Sequence, residues 1–133
     1  MNDRFKFRAW KKEDKKMCEC ESIHPYTNEH TQGGETFLKE DVYRRKYSYY
    51  FPEEVELMQC TGLKDKNGKL IYEGDIVKIF HVSSTMQGRE YKRIVIYNSD
   101  KARYELENYG VFYEDDIYEV IGNIYENKDL LEE

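Results

Sequence analysis

The chain has 133 residues, of which 36% are charged and 39% are apolar, and its formal net charge is −6. This length fits one compact domain, or one domain with a smaller appendage, and allows a core that needs no disulfide or metal. Thirteen Tyr, six Phe and one Trp supply large apolar side chains, which argues against a disordered protein despite the high charge.

The sequence contains no apolar stretch of the roughly 18 residues that a membrane-spanning helix needs. Residues 1–8 lack the apolar run of a signal peptide. The three cysteines, Cys18, Cys20 and Cys60, are an odd number in no disulfide-framework spacing. We therefore expect a protein of the reducing cytoplasm of a bacterial host cell.

Charge is distributed unevenly along the chain. Residues 1–16 hold seven Lys/Arg against three Asp/Glu, a local charge of +4, whereas residues 98–133 hold three against eleven, a local charge of −8. A basic start and an acidic end can attract each other within a fold, between subunits or towards separate partners.

The first elements predicted along the chain are two strands. Residues 4–10 alternate charged and apolar side chains, and residues 17–23 resume a partly alternating pattern after a polar reversal. These two segments predict a β-hairpin. Residues 24–36 hold His, Pro, Thr, Asn, Gln and Gly with almost no apolar side chains, which is typical of a loop.

Residues 36–45 fit a short helix with Thr36 as its N-cap, and residues 47–51 form an aromatic, β-prone segment that Pro52 interrupts. We assign residues 1–52 to an N-terminal appendage made of the hairpin, the loop and this helix.

From residue 55 onward the pattern is one of short strands and frequent turns. Asp65, Asn67 and Gly68 predict a tight turn, and a second reversal is predicted at Glu73-Gly74-Asp75. Further strands follow at residues 76–80, 91–97, 102–107 and 119–124, with a brief terminal turn after Asn127. The predicted class is mainly β, with α+β as the alternative, and residues 53–133 form a small barrel or sandwich.

Three blocks of the sequence stand out: residues 5–10 with Lys16 and Met17, residues 61–77 with Met58 and Gln59 just ahead, and residues 118–127. In these blocks the chain resembles the YopX family of small proteins from bacteriophages and prophages of Gram-positive bacteria. The resemblance implies an SH3-type barrel for residues 53–133. It implies no activity and no functional residue.

Metal binding has little support in the sequence. Cys18 and Cys20 form a single pair that could be combined with His24, His30 or Cys60, but zinc sites have two separated pairs of ligands. Cysteines that pack as small apolar side chains are the favoured interpretation, and we predict no metal and no cofactor.

Catalytic patterns are also absent from the sequence. It has no Gly-x-Ser-x-Gly elbow, and Ser83-Ser84-Thr85 beside His81 is typical of a loop. The carboxylates Glu114, Asp115 and Asp116 could bind a cation, but adjacent like charges favour a solvated loop. We predict that the protein is not an enzyme.

The most suggestive stretch for binding is residues 43–50, where three cations lie among aromatic rings. Such a pattern suits single-stranded nucleic acid, with candidate contacts at Tyr43, Arg44, Arg45, Lys46 and Tyr47. The net charge of −6 opposes a polyanion, and the favoured alternative is that these tyrosines pack on the fold or on another subunit.

The sequence therefore predicts a phage or prophage accessory protein that acts by binding proteins, as a homo-oligomer and with a host or phage protein as a further partner. Nucleic-acid binding is the alternative, an enzyme or metal protein is the weakest, and no membrane is involved.

Overall fold

A computed structural model gives the structure of residues 3–24, 35–41, 46–81 and 90–132, and the side chains of residues 24, 35–49 and 52 are outside that description. These residues form ten strands: β1 (Phe7–Lys11), β2 (Lys16–His24), β3 (Glu35–Asp41), β4 (Lys46–Tyr50), β5 (Val55–Lys64), β6 (Leu70–Tyr72), β7 (Asp75–Phe80), β8 (Glu90–Asn98), β9 (Arg103–Leu106) and β10 (Ile117–Asn123). Short 3-10 helices lie at Asp3–Phe5, Pro52–Glu54 and Lys128–Leu131.

The strand pairs are antiparallel and belong to two sheets. The predicted mainly β class is confirmed, and within the described residues the sheets do not close into a barrel. None of the described helices has the length and apolar character needed to cross a membrane.

The chain divides into two compact units, one of Phe5–Gln59 and one of Met1–Arg4 with Cys60–Glu133. Strand β5 contributes its first residues to one unit and its last residues to the other. The boundary predicted between residues 52 and 53 stays a prediction.

In the unit of Phe5–Gln59 the strand order is β4-β3-β2-β1-β5. Strands β1 and β2 form the predicted hairpin, with Ala9 opposite Cys18. The reversal between them ends at Lys15, whose φ of 55° is left-handed. A small core of Ala9, Cys18 and Val55 lies in this unit, and Tyr50 packs against it.

The short helix predicted for residues 36–45 is wrong where the structure describes this segment. Glu35–Asp41 forms β3, which pairs with β2 on one side and β4 on the other. Pairing on both sides satisfies the backbone N–H and C=O groups of β3, and such tertiary pairing overrides a local helix preference. Residues 42–45 lie outside the described residues.

In the second unit, β7 to β10 form a four-stranded sheet in the order β10-β7-β8-β9. Its core consists of five residues that are at most 1% exposed, namely Ile71, Val77, Ile79, Val95 and Leu106. Tyr91, Tyr104, Tyr109, Phe112 and Tyr118 pack around that core. Side chains alternate along a strand, so Val77 and Ile79 face the core while Lys78 and Phe80 face away from it.

The turn predicted at residues 65–68 connects the β5–β6 hairpin to the edge of β10 through hydrogen bonds. Asp65 Oδ1 accepts the N–H groups of Asn67 and Lys69 at 2.9 Å each, and its Oδ2 accepts the N–H of Val120 at 3.0 Å. The Lys66 N–H donates to the carbonyl of Tyr118 at 2.8 Å. The side of β10 that faces away from β7 is therefore partly covered by this turn.

These contacts also favour the ionised form of Asp65, which is a buried residue. Burial acts to raise the pKa of Asp65, but the hydrogen bonds from the amides of Val120, Lys69 and Asn67 outweigh it and hold the pKa below its usual value.

The second predicted reversal is also present. Gly74 adopts a left-handed φ of 85°, and its N–H donates to the carbonyl of Val95 at 2.9 Å. Asp75, only 1% exposed, accepts the N–H of Tyr72 at 2.8 Å. The glycine and carboxylate of this segment are thus explained by backbone geometry.

Candidate functional site

A polar cluster of His81, Tyr109, Asp116 and Tyr118 lies at one end of the β10-β7-β8 sheet. Asp116 Oδ1 is hydrogen-bonded to His81 Nδ1, and Asp116 Oδ2 accepts the hydroxyl of Tyr109 at 2.7 Å. The Tyr109 hydroxyl is also 3.2 Å from His81 Nδ1. The side chain of Asp116 is completely buried, and that of His81 is 20% exposed.

Tyr118 completes the polar cluster from β10. Its hydroxyl donates to the carbonyl of Tyr113 at 3.0 Å, accepts the Tyr113 N–H at 2.6 Å and lies 3.4 Å from Asp116 Oδ2. Burial, together with a smaller contribution from the charge of Asp116, raises the pKa of Tyr118 to about 12.

Tyr109 responds to the same surroundings. Burial first, and then its hydrogen bond to Asp116 and that carboxylate's charge, raise the pKa of Tyr109 far above its ordinary value. Both phenols of the polar cluster therefore stay protonated near neutral pH and act as hydrogen-bond donors.

The polar cluster joins elements that are far apart in the sequence. His81 directly follows β7, Asp116 directly precedes β10, and Tyr109 lies in the turn after β9. Phe80 and Ile117, the neighbours of His81 and Asp116, are paired across the two strands. The polar cluster therefore fixes the ends of β7 and β10 relative to each other.

An aspartate bonded to the Nδ1 of a histidine is an arrangement that acid–base sites use. Such a site also needs a reacting group, and no Ser, Thr or Cys of the described residues is hydrogen-bonded to His81. Ser83, Ser84 and Thr85 lie outside the described residues. Asp116 accepts hydrogen bonds through both of its oxygens, which fits a structural role.

The sequence prediction for residues 114–116 is correct for two of the three carboxylates. Glu114 and Asp115 are exposed, as a solvated loop predicts, but Asp116 is buried, with 7% of the whole residue and none of its side chain exposed. A buried carboxylate requires hydrogen-bond donors, and the partners of Asp116 lie 35 residues away at His81 and seven away at Tyr109. No local pattern in the sequence identifies such partners.

A groove of about 280 Å³, which we call the outer groove, lies on the face of the β7–β10 sheet that is turned away from the core. It is lined by Lys66, Lys78, Phe80, Glu90, Ile117 and Glu119. Phe80 of β7 lies opposite both Ile117 of β10 and Glu90 of β8. Ile117 is 44% exposed, so the centre of the outer groove presents apolar surface to solvent.

Charged side chains flank this apolar centre in two ion pairs. Lys66 Nζ lies 2.6 Å from Glu119 Oε2, and Lys78 Nζ lies 3.3 Å from Glu90 Oε2. Two lysines and two glutamates make the outer groove electrically neutral, in a chain whose net charge is −6.

The structure does not describe the side chains of the five candidate nucleic-acid contacts. Tyr43, Arg44 and Arg45 lie outside the described residues, and for Lys46 and Tyr47 only the backbone, in β4, is described. Their role in binding stays a prediction.

The cysteines are packed within the fold. Cys18 and Cys60 are buried, and none of the three cysteines forms a disulfide with a described residue. Burial is the main cause that raises the pKa of the Cys20 thiol to about 11, so it is protonated near neutral pH. Within the described part of the chain, no group of three His, Cys, Asp or Glu side chains is placed to hold a metal ion. His30 lies outside it, as does the side chain of His24.

Comparison with known proteins matches residues 6–132 to the family model described as YopX protein. The fold is similar to that of protein EF1440 from Enterococcus faecalis, with a TM-score of 0.63 and 30% identity over 95% of this chain and 96% of that one. It is also similar to protein yopX from Bacillus subtilis, with a TM-score of 0.54 and 23% identity over 98% of this chain and 99% of that one. No curated protein matches the sequence.

Proposed function

This chain belongs to the YopX family, and we propose from its surface that it acts by binding proteins and that its first partner is a second copy of itself. The observation that carries this proposal is the outer groove, where exposed apolar surface is surrounded by charges of both signs. Interfaces that form reversibly have this composition, an apolar centre with a polar rim.

Electrostatics favours the outer groove as the place where two copies meet. Two chains that each carry a net charge of −6 repel one another at long range, and a neutral face is where that repulsion is smallest. In a two-fold arrangement the same face meets itself, so the lysines of one copy can lie against the glutamates of the other. The alternation of Lys78 with Glu90 and of Lys66 with Glu119 suits this exchange.

Sedimentation equilibrium of Ile117→Lys tests the proposal. We expect the parent to show a concentration-dependent dimer, and Ile117→Lys to remain monomeric because a buried, unpaired ammonium opposes the interface. Leu63→Lys is the matched control, since Leu63 is also 44% exposed but lies outside the outer groove. A parent that stays monomeric at millimolar concentration contradicts self-association, and equal dimerisation of Ile117→Lys contradicts the choice of surface.

Binding is favoured over catalysis because Asp116, the buried carboxylate of the polar cluster, already accepts hydrogen bonds from within the fold through both oxygens. The family resemblance supports a role as a phage or prophage accessory protein with a host or phage protein as a further partner. Three cysteines that form no disulfide with a described residue support a place in the cytoplasm of a bacterial host cell. We also infer an SH3-type arrangement for residues 53–133, supported by the succession of short antiparallel strands.

Single-stranded nucleic acid remains the alternative partner, supported by the cations and tyrosines of residues 43–47. If it is correct, the parent binds an oligonucleotide at low salt and the double variant Arg44→Ala/Arg45→Ala binds it much more weakly. Absence of binding in both proteins rules the alternative out.

A further inference from the structure

Strand β10 is the outer strand of the β10-β7-β8-β9 sheet, so only one of its two sides is paired with another strand of that sheet. From Ile117 to Val120 the pairing with β7 is regular. Alternate residues of an antiparallel strand direct their backbone N–H and C=O groups to opposite sides. In this stretch Tyr118 and Val120 have groups that point away from β7. A sheet edge with such groups can pair with a strand of another chain.

The turn at residues 65–68 supplies hydrogen-bond partners to both of these residues. The Lys66 N–H donates to the carbonyl of Tyr118 at 2.8 Å, and Asp65 Oδ2 accepts the N–H of Val120 at 3.0 Å. Between them, the Glu119 carboxylate is paired with the ammonium group of Lys66 at 2.6 Å. The turn therefore takes the place that a neighbouring strand would have along this edge.

The two backbone groups that the turn satisfies are complementary to each other. In a two-fold antiparallel pairing of β10 with β10, centred on Glu119, Val120 of one copy lies opposite Tyr118 of the other. The Val120 N–H then donates to the Tyr118 carbonyl, and the symmetry produces the same bond a second time. Without the turn, the edge of β10 thus presents a donor and an acceptor that a second copy of the same edge can satisfy.

We propose that the turn at residues 65–68 covers the free edge of β10 and prevents a second copy of the chain from pairing with that strand. Proteins commonly protect sheet edges with loops and charged side chains, because open edges lead to aggregation. Glu119 adds a second obstacle, since two glutamates would lie directly opposite each other at the centre of the paired strands. This inference does not depend on the outer groove, where two copies meet through a face of the sheet.

One side chain both builds the turn and attaches it to β10. Asp65 Oδ1 accepts the N–H groups of Asn67 and Lys69 within the turn, whereas Oδ2 accepts the N–H of Val120. Gly68 has a left-handed φ of 80°, and its N–H donates to the carbonyl of Asp65 at 3.0 Å. Substitution of Asp65 or Gly68 should therefore release the edge of β10 without changing a residue of that strand.

Disulfide cross-linking at Glu119 tests the proposal. In the paired strands the two copies of residue 119 form a non-hydrogen-bonded pair with Cα atoms about 4.5 Å apart, a separation that a disulfide can span. We expect oxidised glutathione to cross-link Asp65→Ala/Glu119→Cys at least about tenfold faster than Glu119→Cys alone, because the edge of β10 is then open. Gly68→Pro should have the same effect as Asp65→Ala, since proline cannot adopt a positive φ. Equal rates with and without Asp65→Ala overturn the proposal.

Two variants are matched controls. Asn67→Ala changes the same turn but leaves both hydrogen bonds to β10, and Val95→Ala loosens the buried core beneath β8. Combined with Glu119→Cys, neither should accelerate cross-linking. Acceleration by either control that equals the effect of Asp65→Ala overturns the proposal, because general loosening of the fold then explains the result. Asp65→Ala without the added cysteine gives the contribution of the native cysteines.

Lys78→Cys separates the edge from the outer groove. Lys78 lies in β7, which is paired on both sides, so a cross-link there reports contact through the face of the sheet. Its rate should not respond to Asp65→Ala, and a response as large as that of Glu119→Cys overturns the proposal. Circular dichroism verifies the folding of each variant. Gly68→Ala, which strains the same left-handed position more mildly, carries the test if Asp65→Ala and Gly68→Pro do not fold.

Discussion

At the scale of single residues, two carboxylates satisfy hydrogen-bond donors that the sheet leaves without partners. Asp65 accepts three backbone N–H groups, and one of them belongs to Val120, which is 55 residues away. Asp116 joins His81 and Tyr109, which lie in different parts of the second unit. Each carboxylate therefore connects segments that are distant in the sequence, although it lies in a turn.

We predict that Asp65→Asn destabilises the protein by about 2–3 kcal/mol. The amide group would present an N–H towards at least one of the backbone N–H groups that now donate to a carboxylate oxygen, so a buried donor loses its acceptor. Urea unfolding followed by circular dichroism measures the change. Asp100→Asn, on an exposed turn, is the control and should change stability by less than about 0.5 kcal/mol.

The lowered pKa of Asp65 gives this prediction a pH dependence. The pKa is lower in the folded chain than in the unfolded chain, so the stabilisation is complete above the unfolded value of about 3.9 and is lost as pH falls through the lower folded value. The difference in stability between the parent and Asp65→Asn should therefore shrink below about pH 4. A difference that stays constant down to pH 2, a value well below about 3.9, contradicts the account.

Asp116 can be tested against its own neighbour in the sequence. Asp116→Ala should cost about 2–4 kcal/mol, because His81 and the Tyr109 hydroxyl lose a buried acceptor. Asp115→Ala removes an exposed carboxylate one residue earlier and should be nearly neutral. Similar unfolding midpoints for the two variants would show that the polar cluster does not stabilise the fold.

At the scale of elements, the end of β10 depends on close packing between Gly122 and Asn127. A Cβ at Gly122 would lie 2.6 Å from Asn127 Oδ1 and 2.7 Å from its Cβ and Cγ. The same Asn127 Oδ1 accepts the N–H of Asn123 at 3.2 Å. Asn127 therefore has little freedom to move aside.

Gly122→Ala should destabilise the protein by about 1–3 kcal/mol through this overlap. A double-mutant cycle with Asn127→Gly separates the overlap from other effects, because the alanine should cost much less once the Asn127 side chain is removed. Unfolding free energies of the parent, both single variants and the double variant give the coupling. Additive costs would mean that Asn127 is not what excludes a larger residue at Gly122.

Elements with local chemistry could be predicted from the sequence. The hairpin of β1 and β2 follows from alternation, and the turns at Asp65 and Gly74 follow from residues that suit them. Strand β3 could not be predicted, because the hydrogen bonds of its backbone are made to β2 and β4, which no pattern in residues 35–41 indicates. The burial of Asp116 could not be predicted for the same reason, since its partner His81 is distant in the chain.

The candidate surfaces could be predicted only in part. The charges of the outer groove are visible in the sequence, but their arrangement depends on which residues of β7, β8 and β10 lie opposite one another. The contacts proposed at residues 43–47 depend on the sequence pattern alone.

At the scale of the whole molecule, an acidic chain must find a neutral face if it is to associate with itself. The outer groove provides one, with Phe80 and Ile117 at its centre and equal numbers of lysines and glutamates around them. Self-association through this groove is the central claim of the account. It predicts that reversing either set of charges separates the copies and that two oppositely reversed variants restore the contact.

The most direct test is a mixing experiment between Lys66→Glu/Lys78→Glu and Glu90→Lys/Glu119→Lys, with molecular masses measured by sedimentation equilibrium. Each variant alone should be monomeric, because like charges then face each other across the interface, and the equimolar mixture should form a one-to-one heterodimer. Dimers of either variant alone that are as stable as those of the parent would contradict the account, as would a mixture that remains monomeric.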